Sequence, residues 1–112
     1  EFRRVLFRSD VVLLEGAGGL MVPLTDELLT IDYIAQKGYP LLFVTSGKLG
    51  SINHTLLSLE AIKNRGIKLD TVLYNLYPTV EDRTIQEDTQ LFIQRYLKKD
   101  FPETKFCMVP EL

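Results

Sequence analysis

The chain has no tryptophan, one cysteine and one histidine among its 112 residues. A single thiol, Cys107, excludes an internal disulfide and is too few for a thiolate metal cage, which predicts a reducing, cytoplasmic compartment. There is no basic excess, since 13 Lys and Arg stand against 15 Asp and Glu, and we therefore expect no nucleic-acid partner. No apolar run approaches the ~20 residues of a membrane span, so no membrane partner is expected either.

The composition that is present is typical of a folded globular domain. Apolar residues make up 46% of the chain and charged residues 25%. Residues 1–9 are basic and too short for a signal peptide, and we interpret them as a non-matching leader of artefactual origin. The chain stops at Leu112 directly after an apolar run, so we expect residues 10–112 to be a piece of a longer protein.

Short apolar runs alternate along the chain with longer amphipathic stretches. Strands are predicted for the apolar runs at 11–14, 41–44, 71–75 and 106–109. Helices are predicted for the amphipathic stretches at 31–37, 51–65 and 85–99. Thr30 is a candidate cap of the first helix, which Gly38 ends, and Gly66 ends the second. This alternation predicts an α/β fold, with a parallel β-sheet and helices on both faces.

The spacing of apolar residues predicts which side chains form the core. The runs at 11–14 and 41–44 have no polar alternation, which predicts strands covered on both faces. The predicted buried stripes are Ile52, Leu56 and Leu59 in the second helix, and Ile85, Phe92 and Tyr96 in the third. Cys107 is interpreted as an inert core thiol. His54 has no second ligand at metal spacing, so we interpret it as a hydrogen-bonding partner.

Glu15 ends the first predicted strand and precedes a glycine-rich turn. In an open parallel sheet, ligands bind beyond the carboxyl ends of the strands, and glycines let a ligand approach the backbone closely. The turn is not a dinucleotide fingerprint, because Met21 stands where the third glycine belongs. A carboxylate at this place can hold a Mg²⁺ ion that bridges phosphates. The alternative is a turn in which Glu15 is merely solvated.

The stretch 46–51, which follows the second predicted strand, reads SGKLGS. A phosphate loop needs Ser or Thr directly after Gly-Lys, and Leu49 stands there instead. The turn still opens a helix, whose free N–H groups and positive end suit an anion such as a carboxylate. The alternative is a plain strand-to-helix turn with Ser51 as its cap.

Asn75 ends the third predicted strand. A side-chain amide can pair with the N6 and N7 positions of adenine. The alternative is that Asn75 ties the following turn together, as strand-end asparagines often do.

Together these stretches resemble the dethiobiotin synthetase family, the ATP-dependent enzymes of biotin biosynthesis. Residues 14–24 read LEGAGGLMVPL and resemble the first family signature, and residues 48–57 read KLGSINHTLL and resemble the second. Asn75 and residues 110–112 fall where the family places its two adenine-contacting segments. The resemblance covers residues 10–112. It implies a P-loop NTPase-like fold and a homodimer with active sites near the subunit interface.

The resemblance also implies an ATP- and Mg²⁺-dependent cyclo-ligase. The family captures CO2 on one amine of 7,8-diaminopelargonate as a carbamate and phosphorylates it with ATP, and the second amine then closes the ureido ring. The implied ATP-binding residues are Glu15, which also binds Mg²⁺, Gly16, Ala17, Gly18, Asn75, Leu76, Pro110, Glu111 and Leu112. The implied substrate-binding residues are Leu49, Gly50, Ser51, Ile52 and Asn53. In the family these residues bind the carboxylate of the substrate that lies in the active site of the neighbouring subunit.

The family's phosphate loop, catalytic lysines and second magnesium-binding acid have no counterpart in this sequence. We therefore expect residues 10–112 to be the C-terminal part of a single P-loop-type domain, with no catalytic residue of its own and no activity alone. Two other functions stay open. One is a related P-loop amidoligase of the cobyrinic-acid amide synthase type, and the other is a non-catalytic, ATP-binding partition-type module. Residues 48–57 favour the biotin enzyme over the amidoligase.

Overall fold

The computed structural model describes residues 2–4, 11–16, 18–77 and 83–110. The chain divides into two compact units, Glu1–Lys37 and Gly38–Leu112. The strands are β1 (Phe2–Arg4), β2 (Leu14–Gly16), β3 (Pro23–Thr25), β4 (Leu28–Leu29), β5 (Leu41–Ser46), β6 (Leu69–Asn75) and β7 (Lys105–Val109). The helices are α1 (Thr30–Lys37), α2 (Ser51–Asn64) and α3 (Arg83–Asp100). None of these helices combines the length and the apolar character needed to cross a membrane.

The first unit consists of two short antiparallel strand pairs and α1. β1 pairs with β2, and β3 pairs with β4. The N–H and the hydroxyl of Thr30 both donate to the carbonyl oxygen of Val22 at 2.9 Å. Thr30 is therefore the first residue of α1, and its side chain holds the preceding segment rather than capping the helix. The predicted helix at 31–37 and its end at Gly38, where φ is +68°, are confirmed.

The first predicted strand is only partly right. A strand is present at Leu14–Gly16, but it pairs antiparallel with β1 and its three residues are exposed. Val11, Val12 and Leu13 precede the strand and are also exposed. The prediction that residues 11–14 form a parallel strand buried on both faces is therefore wrong. Among the described residues, no element packs over these apolar side chains. The origin of residues 1–9 as a leader stays a prediction.

The second unit is built on a parallel three-stranded sheet with the order β5-β6-β7. The strands predicted at 41–44, 71–75 and 106–109 are confirmed, and so is the α/β class with a parallel sheet flanked by helices. Both crossovers step in the same direction across the sheet, so right-handed connections place α2 and α3 on the same face. Among the described residues of this unit, the helices therefore cover one face of the sheet and not both faces as predicted. Lys63 of α2 and Asp100 of α3 form an ion pair at 3.4 Å, which joins the carboxyl ends of these helices.

The core of the second unit lies between these two helices and one face of the sheet. Its most buried side chains are Val72 and Tyr74 of β6, Leu59 and Ile62 of α2, and Ile93 and Leu97 of α3. The register places Val44, Leu73 and Cys107 on the opposite face, where Val44 is 61% exposed. Cys107 is exposed as well, so the prediction that it is a core thiol is wrong. The prediction that the strand at residues 41–44 is buried on both faces is also wrong, because every second residue of it is exposed. The reason is that β5 and β7 are the outer strands and α2 and α3 cover one face.

The buried faces of the two long helices also differ from those predicted. In α2 the buried residues include Thr55, whereas Ile52 is exposed. In α3 the buried residues are Ile93 and Leu97, whereas Ile85 is 60% exposed and Phe92 is also exposed. Apolar residues of α3 occupy two adjacent faces about a quarter turn apart, and packing against the sheet selects one of them.

Candidate functional site

The carboxyl ends of β5, β6 and β7 form one edge of the second unit. Ser46 pairs with Asn75 in the register, and Asn75 pairs with Val109, so the three strands end side by side. The N–H of Leu76 donates to the carbonyl oxygen of Val109 at 2.9 Å. This bond places Leu76 next to Pro110. The structure thus brings together Asn75, Leu76 and Pro110, for which the family resemblance implies contact with adenine.

Asn75 also ties the turn that follows it. Its side-chain oxygen Oδ1 accepts a hydrogen bond from the N–H of Tyr77 at 3.0 Å. The turn role that the sequence left open is therefore present. It does not exclude contact with a base, because the oxygen has a second lone pair and the amide nitrogen Nδ2 is a donor. Asn75 is half-buried, and Tyr77 is exposed.

The start of α2 has no side-chain cap. Gly50 is the N-cap residue in the left-handed region, with φ +85°, and it provides no side-chain acceptor for the N–H groups of the first turn. Ser51 lies inside the helix, so its prediction as the cap is wrong. Backbone bonds shape the turn instead, from Ser51 N–H to the Lys48 carbonyl at 2.9 Å and from His54 N–H to the Gly50 carbonyl at 3.1 Å. The positive end of the helix dipole thus faces an uncapped, exposed turn.

The predicted substrate-binding residues lie together at this turn. Leu49, Gly50, Ile52 and Asn53 are exposed and Ser51 is half-buried. An uncapped helix start with exposed backbone can bind a carboxylate through its N–H groups. His54, in the first turn of the helix, is also exposed. It belongs to no group of metal-binding side chains among the described residues.

Two threonines that sequence reasoning did not single out connect this helix to the sheet. Thr45 of β5 and Thr55 of α2 lie with their hydroxyl oxygens Oγ1 2.6 Å apart, and Thr55 is fully buried. Next to this pair, Ser46 Oγ lies 3.4 Å from Ser51 Oγ and 3.4 Å from the N–H of Lys48. The only sequence signal was two hydroxyl residues at a strand end followed by a threonine one turn into the next helix.

Glu15 and its glycines belong to the first unit. Glu15 and Gly16 lie in β2 and are exposed, and the register places Glu15 opposite Arg3. Gly18 has φ +91°, and a Cβ at this position would lie 3.1 Å from Cγ2 of Val22. The turn therefore needs glycine at Gly18 for its backbone conformation. Three predicted site residues lie outside the described residues, namely Ala17, Glu111 and Leu112.

Glu15 of the first unit can supply one of the ligands of a Mg²⁺ ion. Glu15 is exposed and offers a hard carboxylate oxygen. No group of three or more His, Cys, Asp or Glu among the described residues could hold a metal ion by itself. Mg²⁺ takes one or two protein carboxylates and keeps water and phosphate oxygens as its other ligands. Glu15 therefore suits a magnesium–nucleotide site and not an enclosed metal centre.

The parallel sheet, whose three strands end side by side, and the flanking helices are those of an α/β protein with a P-loop NTPase-like fold. The model of the AAA domain family matches residues 3–111. The chain belongs to this family.

Within the family, the chain is similar to ATP-dependent dethiobiotin synthetases. It is 55% identical to ATP-dependent dethiobiotin synthetase BioD 2 of Pasteurella multocida over 88% of the chain and 46% of that relative. It is 52% identical to the enzyme of the same name from Haemophilus ducreyi, over 91% of the chain and 48% of the relative. It is 50% identical to the enzyme BioD of Chlorobaculum tepidum, over 87% of the chain and 42% of the relative. The resemblance predicted from the two signatures is confirmed. The chain spans about half the length of these curated relatives.

Proposed function

We propose that this chain is part of an ATP-dependent dethiobiotin synthetase, a ligase of biotin biosynthesis. The observation that carries this proposal is the 50–55% identity to relatives of that name over 87–91% of the chain. These relatives favour the first of the three functions that the sequence left open. The substrates are then 7,8-diaminopelargonate, CO2 and ATP.

The strand ends of the second unit bind the adenine of ATP in this proposal. The amide of Asn75 pairs with N6 and N7 of the base, as an amide pairs with adenine in nucleic acids. Leu76 and Pro110 contribute apolar contacts beside it, together with Glu111 and Leu112 of the following segment. The proposal is supported by the bond from Leu76 N–H to the Val109 carbonyl, which holds these two segments together.

In this proposal, the glycine-rich turn of the first unit binds the phosphates of ATP and their Mg²⁺ ion. Glu15 is the Mg²⁺ ligand that this chain contributes, and the bound ion supplies neutralisation of phosphate charge. Gly16, Ala17 and Gly18 let the nucleotide approach the backbone. The exposed position of Glu15 and the positive φ of Gly18 support this assignment.

The start of α2 binds the carboxylate of 7,8-diaminopelargonate. Within residues 49–53, the N–H of Ser51 donates to the Lys48 carbonyl, and the other backbone N–H groups lie at the positive end of the helix dipole, where Gly50 presents no side chain. We place this element in the site of the neighbouring subunit of a homodimer. The phosphate loop and the catalytic lysines are expected outside these 112 residues, in a protein of the relatives' length. A cytoplasmic location also stays a prediction.

The test is the activity of the full-length protein. Purified protein is incubated with ATP, Mg²⁺, bicarbonate and 7,8-diaminopelargonate, and both dethiobiotin and ADP are quantified. We expect ADP release to depend on the diamine and on CO2, with one dethiobiotin formed for each ADP. ADP release that depends on an amide donor and a corrinoid acid would instead support the amidoligase. ATP binding without turnover under all these conditions would support the partition-type module.

A further inference from the structure

We propose that Thr45 and Thr55 are positioning residues, which set where the start of α2 stands along β5 and thereby set the affinity for the substrate carboxylate. This inference rests on the proposed function, because it assumes that the α2 start receives that carboxylate. Neither threonine belongs to the predicted binding residues 49–53. Their effect is therefore exerted through the placement of the helix and not through contact with substrate.

The two hydroxyl groups flank the turn that carries the proposed carboxylate site. Thr45 is the residue before the end of β5, and Thr55 lies one helical turn after the start of α2. Their oxygens are 2.6 Å apart, within the usual range of a hydroxyl–hydroxyl hydrogen bond. Thr55 is fully buried and Thr45 is half-buried, so water does not readily replace the bond.

Other restraints on the axial position of α2 are weaker near its start. Lys48, Leu49 and Gly50 are exposed, and the N-cap makes no side-chain bond. The hydroxyl oxygens of Ser46 and Ser51 also join β5 to α2, but they lie 3.4 Å apart, at the long limit of a hydrogen bond. The apolar contacts of Leu59 and Ile62 lie further along the helix, and burial of apolar surface is not directional. A short hydroxyl pair is directional, so it selects one axial position among those that the apolar contacts permit.

Positioning can be separated from stability by removing both hydroxyls at once. Valine keeps the shape of threonine and replaces the hydroxyl with a methyl group. A single substitution leaves the other hydroxyl buried without its partner, whereas replacing both partners with apolar groups of the same shape can be nearly neutral. The double variant should therefore keep the fold and lose only the directional bond.

The experiment uses the full-length enzyme with Thr45→Val and Thr55→Val combined. We expect Tm close to that of the unsubstituted enzyme and an unchanged KM for ATP. We expect the KM for 7,8-diaminopelargonate to rise about tenfold, the effect of weakening one hydrogen bond to a charged group. Amide exchange of residues 47–54 should also become faster.

Thr104→Val is the matched control. Thr104 donates its hydroxyl hydrogen to the Leu69 carbonyl at the same distance, 2.6 Å, but at the opposite, amino-terminal edge of the sheet. Its loss should lower Tm and leave both KM values unchanged. A rise in the KM for the diamine in this variant, of the size seen in the double variant, would show that any lost bond has this effect and would overturn the inference.

The remaining outcomes also decide the question. A double variant with an unchanged KM for the diamine overturns the positioning role. If that variant does not fold, Thr55→Ser and Thr55→Ala take its place: the serine variant should keep the KM and the alanine variant should raise it, and equal shifts would overturn the role of the hydroxyl. If the unsubstituted full-length protein forms no dethiobiotin, the proposed function fails instead.

Discussion

Asn75 accepts the backbone N–H of Tyr77 through its side-chain oxygen at 3.0 Å. The residue proposed to bind adenine therefore also shapes the turn after β6. A substitution that removes the whole side chain would change both roles together. Both roles use the oxygen, which can accept from Tyr77 N–H and from N6 of adenine, whereas only the pairing with N7 needs the amide nitrogen.

Asn75→Asp separates these roles in the full-length enzyme. The carboxylate keeps the acceptor for Tyr77 but has no donor for N7, so we expect an unchanged Tm and a higher KM for ATP. Asn75→Ala should also lower Tm and narrow the preference for ATP over GTP by about 1–3 kcal/mol. Steady-state kinetics with both nucleotides and thermal unfolding check this. A KM for ATP that stays unchanged in both variants would leave Asn75 with the turn role alone.

Glu15→Gln should leave the fold intact and lower kcat by orders of magnitude. Glu15 is exposed in β2, so its charge contributes little to packing, whereas the amide removes the negative charge proposed to bind Mg²⁺. The measurement is kcat at saturating Mg²⁺ together with Tm. A kcat within a factor of about three of that of the unsubstituted enzyme would contradict the assignment, because this ratio corresponds to less than about 1 kcal/mol of activation free energy.

Gly50→Val should raise the KM for 7,8-diaminopelargonate and leave nucleotide binding nearly unchanged. The new side chain would stand at the uncapped helix start, and the φ of +85° is unfavourable for any residue with a Cβ. Gly38→Val is the control for backbone strain, because Gly38 has φ +68° and equally open space around a Cβ. It should lower stability and leave the KM unchanged.

The same variant tests the homodimer. Mixing Gly50→Val subunits with Glu15→Gln subunits should restore part of the activity, since a mixed dimer then contains one site with neither defect. Subunit exchange is verified by labelling the two variants differently. No recovery after verified exchange would mean that residues 49–53 serve the site of their own subunit or no site.

Tyr74→Phe should stabilise the protein or leave its stability unchanged. Tyr74 is fully buried, and its hydroxyl has no hydrogen-bond partner among the described residues, so the group is desolvated without compensation. Burial also raises the pKa of Tyr74 above its ordinary value of 10.0. The unfolded chain then ionises first, so the unsubstituted protein should lose stability as the pH rises above about 10.

Chemical denaturation between pH 8 and 11 measures this difference for both proteins. The variant should lose less stability than the unsubstituted protein over the alkaline part of this range. Tyr96 is present in both proteins, and the pKa of its phenol is also raised, first by burial, so its contribution cancels in the comparison. A variant that is less stable than the unsubstituted protein at neutral pH would show that the Tyr74 hydroxyl has a bonded partner.

The sequence by itself determined the order of elements in the second unit and the edge of the sheet at which its strands end. Short apolar runs separated by helix-length stretches permit parallel strands joined by right-handed crossovers, and such strands end at a common edge. Ser46, Asn75 and Val109 were therefore predictable neighbours. Gly38 and Gly66 marked helix ends, and both have a positive φ.

Only the tertiary structure decided which surfaces are buried and which side chains meet. Helical spacing groups Ile85 with Phe92, but it does not say whether that face or the adjacent one packs on the sheet, and Ile93 was buried instead. Cys107 is exposed because β7 is an outer strand, which depends on the strand order. The Thr45–Thr55 bond was not predictable for the same kind of reason: it depends on the axial position of α2 along β5, which the spacing of residues in the sequence does not fix.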